Sequence, residues 1–347
     1  MGISRLGNSS TASGSGRKRS NRIGGAFNIF AGQTISSPGS VTESTWTGSG
    51  GEKYRVHLIT TTQPITVNGD GGANPATIQY SRSENKYLIG SNVTGGGGLD
   101  VLVQAGGGGG GCWVAGGGGG GATVVMPNFT APAGTTTITV GGGGQGHNNP
   151  GNMPSDMGGQ RGGDSIAFGY VAKGGGTGST WDQSQRVPGG NGGGGSSNGP
   201  VGSSTQPSQN GPKPGNSFTQ YGNPGNSNGS PTSHGSAGGG GSGESPHNNS
   251  QAARNGNDGR LNQWLDGSNR YYGAGGGQGT HDGGYSPSSG GLGGGGNGYP
   301  GTHFNPGSNA THYGGGGGGN GLTGGSPSIG GNGYAGVVII RHQYMES

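Results

Sequence analysis

Two runs of six glycines, residues 106–111 and 116–121, constrain this chain more than any other feature, and only residues 112–115 separate them. Glycine loses more conformational freedom on folding than any other residue, so a glycine-rich tract is normally a flexible linker. Here, however, the first run follows the strand-like segment LDVLVQA (99–105), and Cys, Trp, Val and Ala separate the two runs. The pair therefore indicates either a slack linker or an ordered structure that requires glycine.

The glycine runs continue through most of the chain, which contains 98 Gly and 19 Pro in 347 residues. Hydrophobic residues make up 24%, too few for an ordinary core over this length. Charged residues make up only 9%, whereas disordered chains are usually strongly charged. Backbone hydrogen bonds are therefore the main candidate for cohesion. Further runs occupy residues 141–144, 174–176, 192–195, 238–241, 275–277, 293–296 and 314–319.

A bundle of polyglycine-II helices is the ordered structure that these runs predict. A collagen triple helix is excluded because glycine does not occupy every third position, for example at Gly211, Gly215 and Gly222. An extended helix with three residues per turn has no internal hydrogen bonds, so its N–H and C=O groups point sideways. Neighbouring helices can satisfy these groups mutually. Glycines expected inside the packing are Gly108, Gly118, Gly143 and Gly316.

Short β-branched and aromatic runs predict strands before and between the glycine runs. No segment has apolar residues at i, i+3, i+4 and i+7 over eleven residues, so essentially no α-helix is expected. The predicted fold is all-β/irregular. The strand-like segments are YRVHLITT (54–61), PITVNG (64–69), ATIQYS (76–81), KYLIG (86–90), TTTITV (135–140), DSIAFGYVAKGGG (164–176) and YAGVVIIRH (334–342).

Three regions follow from these patterns: an extended basic arm (1–34), a β-rich platform (35–103) and a polyglycine-II bundle with long polar loops (104–347), closed by a C-terminal strand. The arm contains five of the 17 Lys and Arg residues and no acid. Its alternatives are a solvated tail or the first packed layer of the platform. The residues expected to anchor the arm to a partner are Arg17, Lys18, Arg19, Arg22, Phe27 and Phe30.

The ordered set of motifs resembles the glycine-rich domain of bacteriophage tail and other virion proteins. The resemblance rests on YRVHLITTTQPITV, LDVLVQAGGGGGG, TTTITVGGGGQG, DSIAFGYVAKGGG and GNGYAGVVIIRH, and it covers roughly residues 54 to 342. It implies a polyglycine-II bundle like that of the tip adhesins of T-even-like phages, in which distal loops recognise the host. Long polar inserts, especially 196–237, leave open which loops would do so here.

The sequence contains no residue pattern typical of catalysis or metal binding. The eight histidines accompany no HExxH or CxxC motif, and Cys112 is expected to be a small packed residue. We expect no enzyme activity, no catalytic residue, no metal and no cofactor. Apolar runs of eighteen residues do not occur, so no membrane span is expected, and no secretory signal is expected either.

Aromatic residues in the polar inserts suit recognition, because they give large contact area at low entropic cost. The alternative is that each aromatic caps the end of the bundle. The insert RLNQWLDGSNRYYG (260–273) is expected to be the most exposed. Candidate receptor-binding residues are Trp264, Arg270, Tyr271, Tyr272, His281, Tyr285, Tyr299, His303, Phe304 and Tyr313.

The expected function is that of a virion structural protein, a tail-fibre, tail-tip or baseplate adhesin exposed on the particle. Its expected partners are other virion proteins through the arm, a host surface glycan or outer-membrane protein, and a second and third copy in a homotrimer, with no nucleic acid. The alternatives are a capsid fibre or decoration protein without a receptor, and a bacterial glycine-rich surface protein.

Overall fold

The computed structural model describes residues 34–36, 42–68, 78–81, 86–89, 98–132, 134–149, 159–180, 188–196, 201–206, 216–227, 236–243, 245–246, 254–280, 287–300, 306–321 and 328–344. The strands, in chain order, are β1 (Thr34–Ser36), β2 (Thr42–Thr47), β3 (Lys53–Ile59), β4 (Gln63–Asn68), β5 (Ile78–Ser81), β6 (Lys86–Ile89), β7 (Leu99–Gln104), β8 (Thr123–Phe129), β9 (Gly134–Ile138), β10 (Asn148–Asn149), β11 (Ser165–Ala167), β12 (Tyr170–Ala172), β13 (Thr219–Tyr221), β14 (Arg260–Asn262), β15 (Arg270–Tyr272), β16 (Ser328–Ile329) and β17 (Val337–Tyr344). No described residue lies in an α-helix, so the predicted all-β/irregular class is confirmed.

The largest sheet has six antiparallel strands in the order β13-β8-β7-β17-β3-β2. Strand β17 lies inside it, where Val338 is opposite Ile59 on one side and Val103 on the other. Its four consecutive apolar residues, 337–340, are all fully buried. An apolar run without alternation is typical of a strand that is covered on both faces. Strand β17 therefore joins the end of the glycine-rich region to both earlier strands.

One face of this sheet packs against the three-stranded sheet β1-β4-β9 and the hairpin β11-β12. Ile59, Val103 and Val338 of the large sheet share a cluster with Ile65 of β4 and Tyr170 of β12. Each such aliphatic side chain contributes about 1.5–3 kcal/mol when it leaves water. We call this group the inner cluster, and it is the conventional hydrophobic core of the protein.

The opposite face of the large sheet is covered by aromatic residues from later in the chain. Val56, Leu102 and Ile339 form an outer cluster with Tyr272 of β15. Half-buried residues that complete the outer cluster are Trp46, Tyr54, Leu58, Val125, Trp264, Leu265 and Tyr313. The sheet thus combines strands from both sides of the predicted boundary at residues 103 and 104, and the two predicted regions share one core.

The first glycine run, 106–111, lies among six neighbouring segments in a pattern that repeats every three residues. The N–H groups of Gly108 and Gly111 donate to the carbonyl oxygens of Gly119 and Gly116, at 2.9 and 3.1 Å. The remaining N–H groups donate to 160–163 and 331–334, and the carbonyls accept from 144–147, 175–178 and 317–320. A strand has two hydrogen-bonded neighbours and a period of two. A period of three with six neighbours is the lattice of a polyglycine-II helix.

The second run, 116–121, is surrounded in the same way. It is antiparallel to the first run. Its other hydrogen-bonded neighbours are 176–179, 191–194, 237–240, 314–317 and the segment at Gly276. Its last carbonyl, at Gly121, instead accepts from the buried side chains of Gln104, Asn191 and Ser242 at 2.8–2.9 Å. Polar side chains therefore end the lattice where it meets the sheet.

Residues 112–115 reverse the chain between the two runs. Trp113 has a φ of 63° and Val114 a φ of 52°. These values lie in the left-handed region, which β-branched residues rarely adopt. Such backbone costs about 1–3 kcal/mol and persists only where the surroundings enforce it. Cys112, Val114 and Ala115 are buried, while Trp113 is half-buried and its N–H donates to Ser328 Oγ at 3.2 Å.

The four glycines predicted to pack inside the bundle all face backbone. A Cβ on Gly108 would lie 2.6 Å from the carbonyl carbon of Gly176, and one on Gly118 would lie 2.9 Å from that of Gly108. Gly316 is equally crowded; a Cβ on Gly143 would also meet backbone, although Gly143 is exposed and does not lie inside the bundle as predicted. A Cβ on Gly142, in contrast, would meet nothing within 4 Å, because that residue lies on the outside of the lattice. Position in the lattice therefore decides which glycines are required.

Candidate binding surfaces

The bundle has two ends, which the two central runs define. At the sheet end, the lattice continues into β7, β8 and β17. At the distal end lies the turn 112–115. Six residues of such a helix span about 19 Å at ~3.1 Å per residue, so a side chain at one end cannot reach a ligand bound at the other.

The insert 260–273 lies at the sheet end and forms the hairpin β14-β15. Its tip has Gly267 at φ 79°, and the Asp266 carboxylate pairs with the Arg270 guanidinium there. The hydrogen bond from Arg270 lowers the pKa of Asp266. Trp264 is half-buried against the outer cluster. The insert is thus a structured hairpin folded onto the sheet, and its exposed residues include Leu261, Gln263 and residues 266–270.

The expectation of exposure in this insert is wrong for the candidate Tyr272, which is only 2% exposed. Burial raises its pKa, and its hydroxyl has no hydrogen-bond partner among the described residues. Its neighbour Tyr271 is half-buried, and so is Tyr313, which shares the outer cluster. Arg270 is exposed. The reason is local: β15 alternates, so one tyrosine must face the apolar side of the sheet.

A groove of about 440 Å³ lies between this hairpin and the edge of the large sheet. Arg341 is its central residue: its guanidinium carbon lies 4.3 Å from the ring centre of Tyr54 and 5.2 Å from that of Trp264. Its Nε donates to Asp100 at 2.8 Å. Trp46 stacks on Tyr54 with ring centres 4.9 Å apart. The Arg341 side chain is thus engaged by contacts within the protein. The sheet-end groove is therefore mainly a packing interface between the hairpin and the sheet.

Several of the other candidate residues are near Thr280 and Pro300 in sequence. Thr280 bridges to Pro300, and Tyr299 bridges to Asn320, whose N–H donates to Gly111 beside the distal turn. The candidates His281, Tyr285, His303 and Phe304 lie outside the described residues. The anchoring residues Arg17, Lys18, Arg19, Arg22, Phe27 and Phe30 also lie outside them. Of the distal candidates, Tyr299 is described.

Tyr299 lines a second groove of about 630 Å³, on the side of the bundle near its distal end. We call it the lateral groove. Gln145, Asn148, Asn309 and Asn332 also line it and are exposed. The Asn332 carboxamide oxygen accepts from the Gly146 N–H, and that of Asn309 accepts from the Asn332 N–H, each at 2.8 Å. The nitrogen of neither carboxamide donates a hydrogen bond within the described part of the chain.

The asparagines of the lateral groove were not among the predicted site residues. A signal for one of them is present, because GGNGY occurs both at 295–299 and at 330–334. In both copies the asparagine oxygen accepts a backbone N–H from a neighbouring helix, that of Gly290 for Asn297 and that of Gly146 for Asn332. In these two copies the asparagine therefore lies exposed on an outer helix, and its side chain is hydrogen-bonded to the lattice.

Titratable groups with strongly shifted pKa values lie away from both grooves. Burial lowers the pKa of His57 to about 4, and its Nε2 lies 3.5 Å from that of His342. Burial raises the pKa of the Cys112 thiol to about 12. No group of three metal-binding side chains occurs among the described residues. Nor does the described part of the chain contain a helix with the length and apolar character needed to cross a bilayer.

These observations define a class of protein: a short β core from which a hydrogen-bonded polyglycine-II lattice extends. Residues 94–343 match the family model of the glycine-rich domain, and the chain belongs to this family. The match begins just before β7 and ends within β17, so it contains the whole lattice. A search of the curated proteins gave no match.

Proposed function

We propose that this protein is a structural component of a bacteriophage virion and acts there as an adhesin of the tail fibre, tail tip or baseplate. The observation that carries the proposal is the division of the bundle into a sheet end and a distal end. At the distal end, segments that are separated in sequence lie side by side, as the bridges of Thr280 with Pro300 and of Tyr299 with Asn320 illustrate. Loops supported by a rigid scaffold are the usual location of recognition residues.

The lattice itself supports a role in display. Its helices are fixed by backbone hydrogen bonds, and their cohesion does not depend on which side chains the connecting loops carry. Loop sequences can therefore change without loss of the scaffold. That property suits an adhesin whose receptor differs between hosts. The order of motifs from β3 to β17, which resembles virion glycine-rich domains, supports the same proposal.

Attachment to the particle is proposed for the opposite end. The basic arm precedes β1 and β2, and β2 is an exposed edge strand of the large sheet. An exposed edge offers unpaired backbone groups to another chain. Other virion proteins, or two further copies in a homotrimer, are the proposed partners there. The proposal includes no catalytic activity, and it places the protein on the virion surface.

The test is an adsorption assay with phage particles that carry altered versions of this protein. In one, residues 281–286 and 301–305, which follow the distal residues Thr280 and Pro300, are replaced by Gly-Ser segments of equal length. In the matched control, the exposed tip 266–269 at the sheet end is replaced in the same way. We expect at least tenfold slower adsorption for the distal replacement and normal adsorption for the control, with both proteins incorporated equally.

Normal adsorption after the distal replacement would overturn the adhesin proposal and favour a capsid fibre or decoration protein. Absence of the protein from purified particles, together with its presence in the envelope of uninfected bacteria, would favour a bacterial surface protein. Immunoblots of purified particles and of bacterial fractions separate these cases.

A further inference from the structure

We propose that the lateral groove binds a neutral saccharide. The inference depends on the proposed function for the source of the ligand, the host surface, while its chemistry depends only on the groove. The groove has a volume of about 630 Å³. Small-ligand sites usually have volumes of about 300–1000 Å³, so the groove is of suitable size. It remains open along the side of the bundle, so an end or a branch of a longer chain can enter it.

The chemistry of the lining suits hydroxyl groups without charge. The described lining residues include no Lys, Arg, His, Asp or Glu, and their polar groups are carboxamides, hydroxyls and backbone. A carboxamide both donates and accepts, which matches a sugar hydroxyl that does the same. A phosphate or carboxylate ligand would find no cation among these residues, and so would lose its hydration without an ionic partner.

Two of the carboxamides are already oriented. Because the oxygens of Asn309 and Asn332 each accept a lattice N–H at 2.8 Å, the amide planes are fixed. The amide nitrogens then remain available on the exposed side of these residues. Groups that are held in place before binding lose less entropy when they engage a ligand. Gln145 and Asn148 add further carboxamides along the same groove.

Tyr299 supplies the apolar contact that a sugar ring requires. Its side chain is half-buried, and its hydroxyl accepts from Ser308 Oγ at 3.4 Å. A tyrosine ring combines a large apolar face with a polar edge, and the C–H face of a pyranose can lie on it. A protein loop is the competing occupant, but protein contacts concentrate aromatic and apolar residues at their centre, and this lining is mostly amide and glycine.

The experiment measures binding of the purified full chain to an array of bacterial-type oligosaccharides of two to four sugars, both neutral and uronic-acid-containing, followed by calorimetry on the best neutral ligand. The double variant Asn309→Asp, Asn332→Asp retains the oxygen that accepts the lattice N–H but removes the nitrogen donor. We expect its Kd to rise about tenfold or more, the factor for loss of a hydrogen bond. Tyr299→Ala should have a similar effect, and Tyr299→Phe should stay within about threefold because the ring remains.

Asn297→Asp is the matched control. Asn297 is exposed and its oxygen accepts the Gly290 N–H at 2.9 Å, but it does not line the groove. Its Kd should equal that of the unaltered chain. Binding of uronic-acid-containing ligands alone, no binding to any neutral ligand, or equal effects of the groove and control variants would each overturn the saccharide proposal.

Failure of this proposal differs from failure of the adhesin proposal. If the distal replacement slows adsorption but the purified chain binds no neutral saccharide, the adhesin proposal is supported and the saccharide proposal is refuted. If the purified chain binds the saccharide through the groove but phage with the distal replacement adsorb normally, the saccharide proposal is supported and the adhesin proposal is refuted.

Discussion

Substitution of Gly108 by alanine should destabilise the protein more than any surface change, because this glycine lies inside the lattice. Its new Cβ would be 2.6 Å from the carbonyl carbon of Gly176 and 2.8 Å from the carbonyl oxygen of Gly175. Ordinary contact between such atoms needs about 3.5 Å, so the helices must separate by about 1 Å. Both partners are backbone, and neither can rotate away.

A separation of this size breaks lattice hydrogen bonds. The bonds that hold 175–178 against the first run are donated by the Gly175 N–H to the Gly106 carbonyl and by the Gly178 N–H to the Gly109 carbonyl, each at 2.9 Å. Each buried backbone group left without a partner costs about 1–3 kcal/mol. With two or three groups affected, the free energy of unfolding should fall by about 3–6 kcal/mol, a large part of the roughly 5–15 kcal/mol typical of a folded protein.

Gly142→Ala is the matched control, since its Cβ would meet nothing within 4 Å. Both substitutions restrict the unfolded chain equally, which by itself stabilises a protein by about 0.4–1 kcal/mol. The difference between them therefore isolates crowding in the folded state. Urea denaturation followed by tryptophan fluorescence gives both free energies of unfolding. Values that agree within about 0.5 kcal/mol, the range of ordinary surface substitutions, would refute the packed lattice at Gly108.

Three further predictions concern buried groups. The pKa of His57 is lowered to about 4, mainly by burial; because an unfolded histidine titrates near 6.5, the free energy of unfolding should fall by up to about 3 kcal/mol as the pH drops from 6.5 to 4. His57→Gln should flatten that profile, and an unchanged profile would contradict the assignment. Tyr272→Phe removes a buried hydroxyl that has no partner in the described part of the chain, so unfolding experiments should show equal or higher stability, by up to about 2 kcal/mol, whereas a loss above about 1 kcal/mol would contradict this. Cys112, whose pKa burial raises to about 12, should react with a disulfide reagent at pH 8 only after unfolding in guanidinium, and rapid reaction of the folded chain would show that the distal turn is open.

The central lattice was predictable from residues 106–121, because the two glycine runs there can pack closely only against other backbone. Only backbone can pack against six glycines on all sides, and a four-residue spacer is long enough to reverse the chain but too short for anything else. The strand β17 was equally clear, since VVII without alternation indicates burial on both faces. Strands β2 and β8 were missed, because TESTWT is polar and TVVMPNF contains a proline.

The neighbours of each glycine helix were not predictable, because the runs are nearly identical and only the connections decide which of them lie side by side. The hairpin 260–273 was misjudged for a related reason. Its composition of Trp, Tyr and Arg fits exposure and fits packing equally well, and the choice depends on Val56 and Ile339, which lie more than sixty residues away in sequence. The lateral groove likewise combines residues from the segments at 145, 299, 309 and 332.

Amide hydrogen exchange resolved by NMR tests the lattice most directly, because in an outer helix the N–H groups that donate to lattice backbone recur at every third residue. In 141–147, Gly144 and His147 donate to the carbonyls of Gly107 and Gly110, whereas Gly142 and Gly143 donate to no described residue. The amides of 106–111 and 116–121 should all exchange slowly, and in the outer helix Gly144 and His147 should be slow while Gly142 and Gly143 are fast. Fast exchange throughout these segments, or protection that alternates with a period of two, would contradict the polyglycine-II lattice.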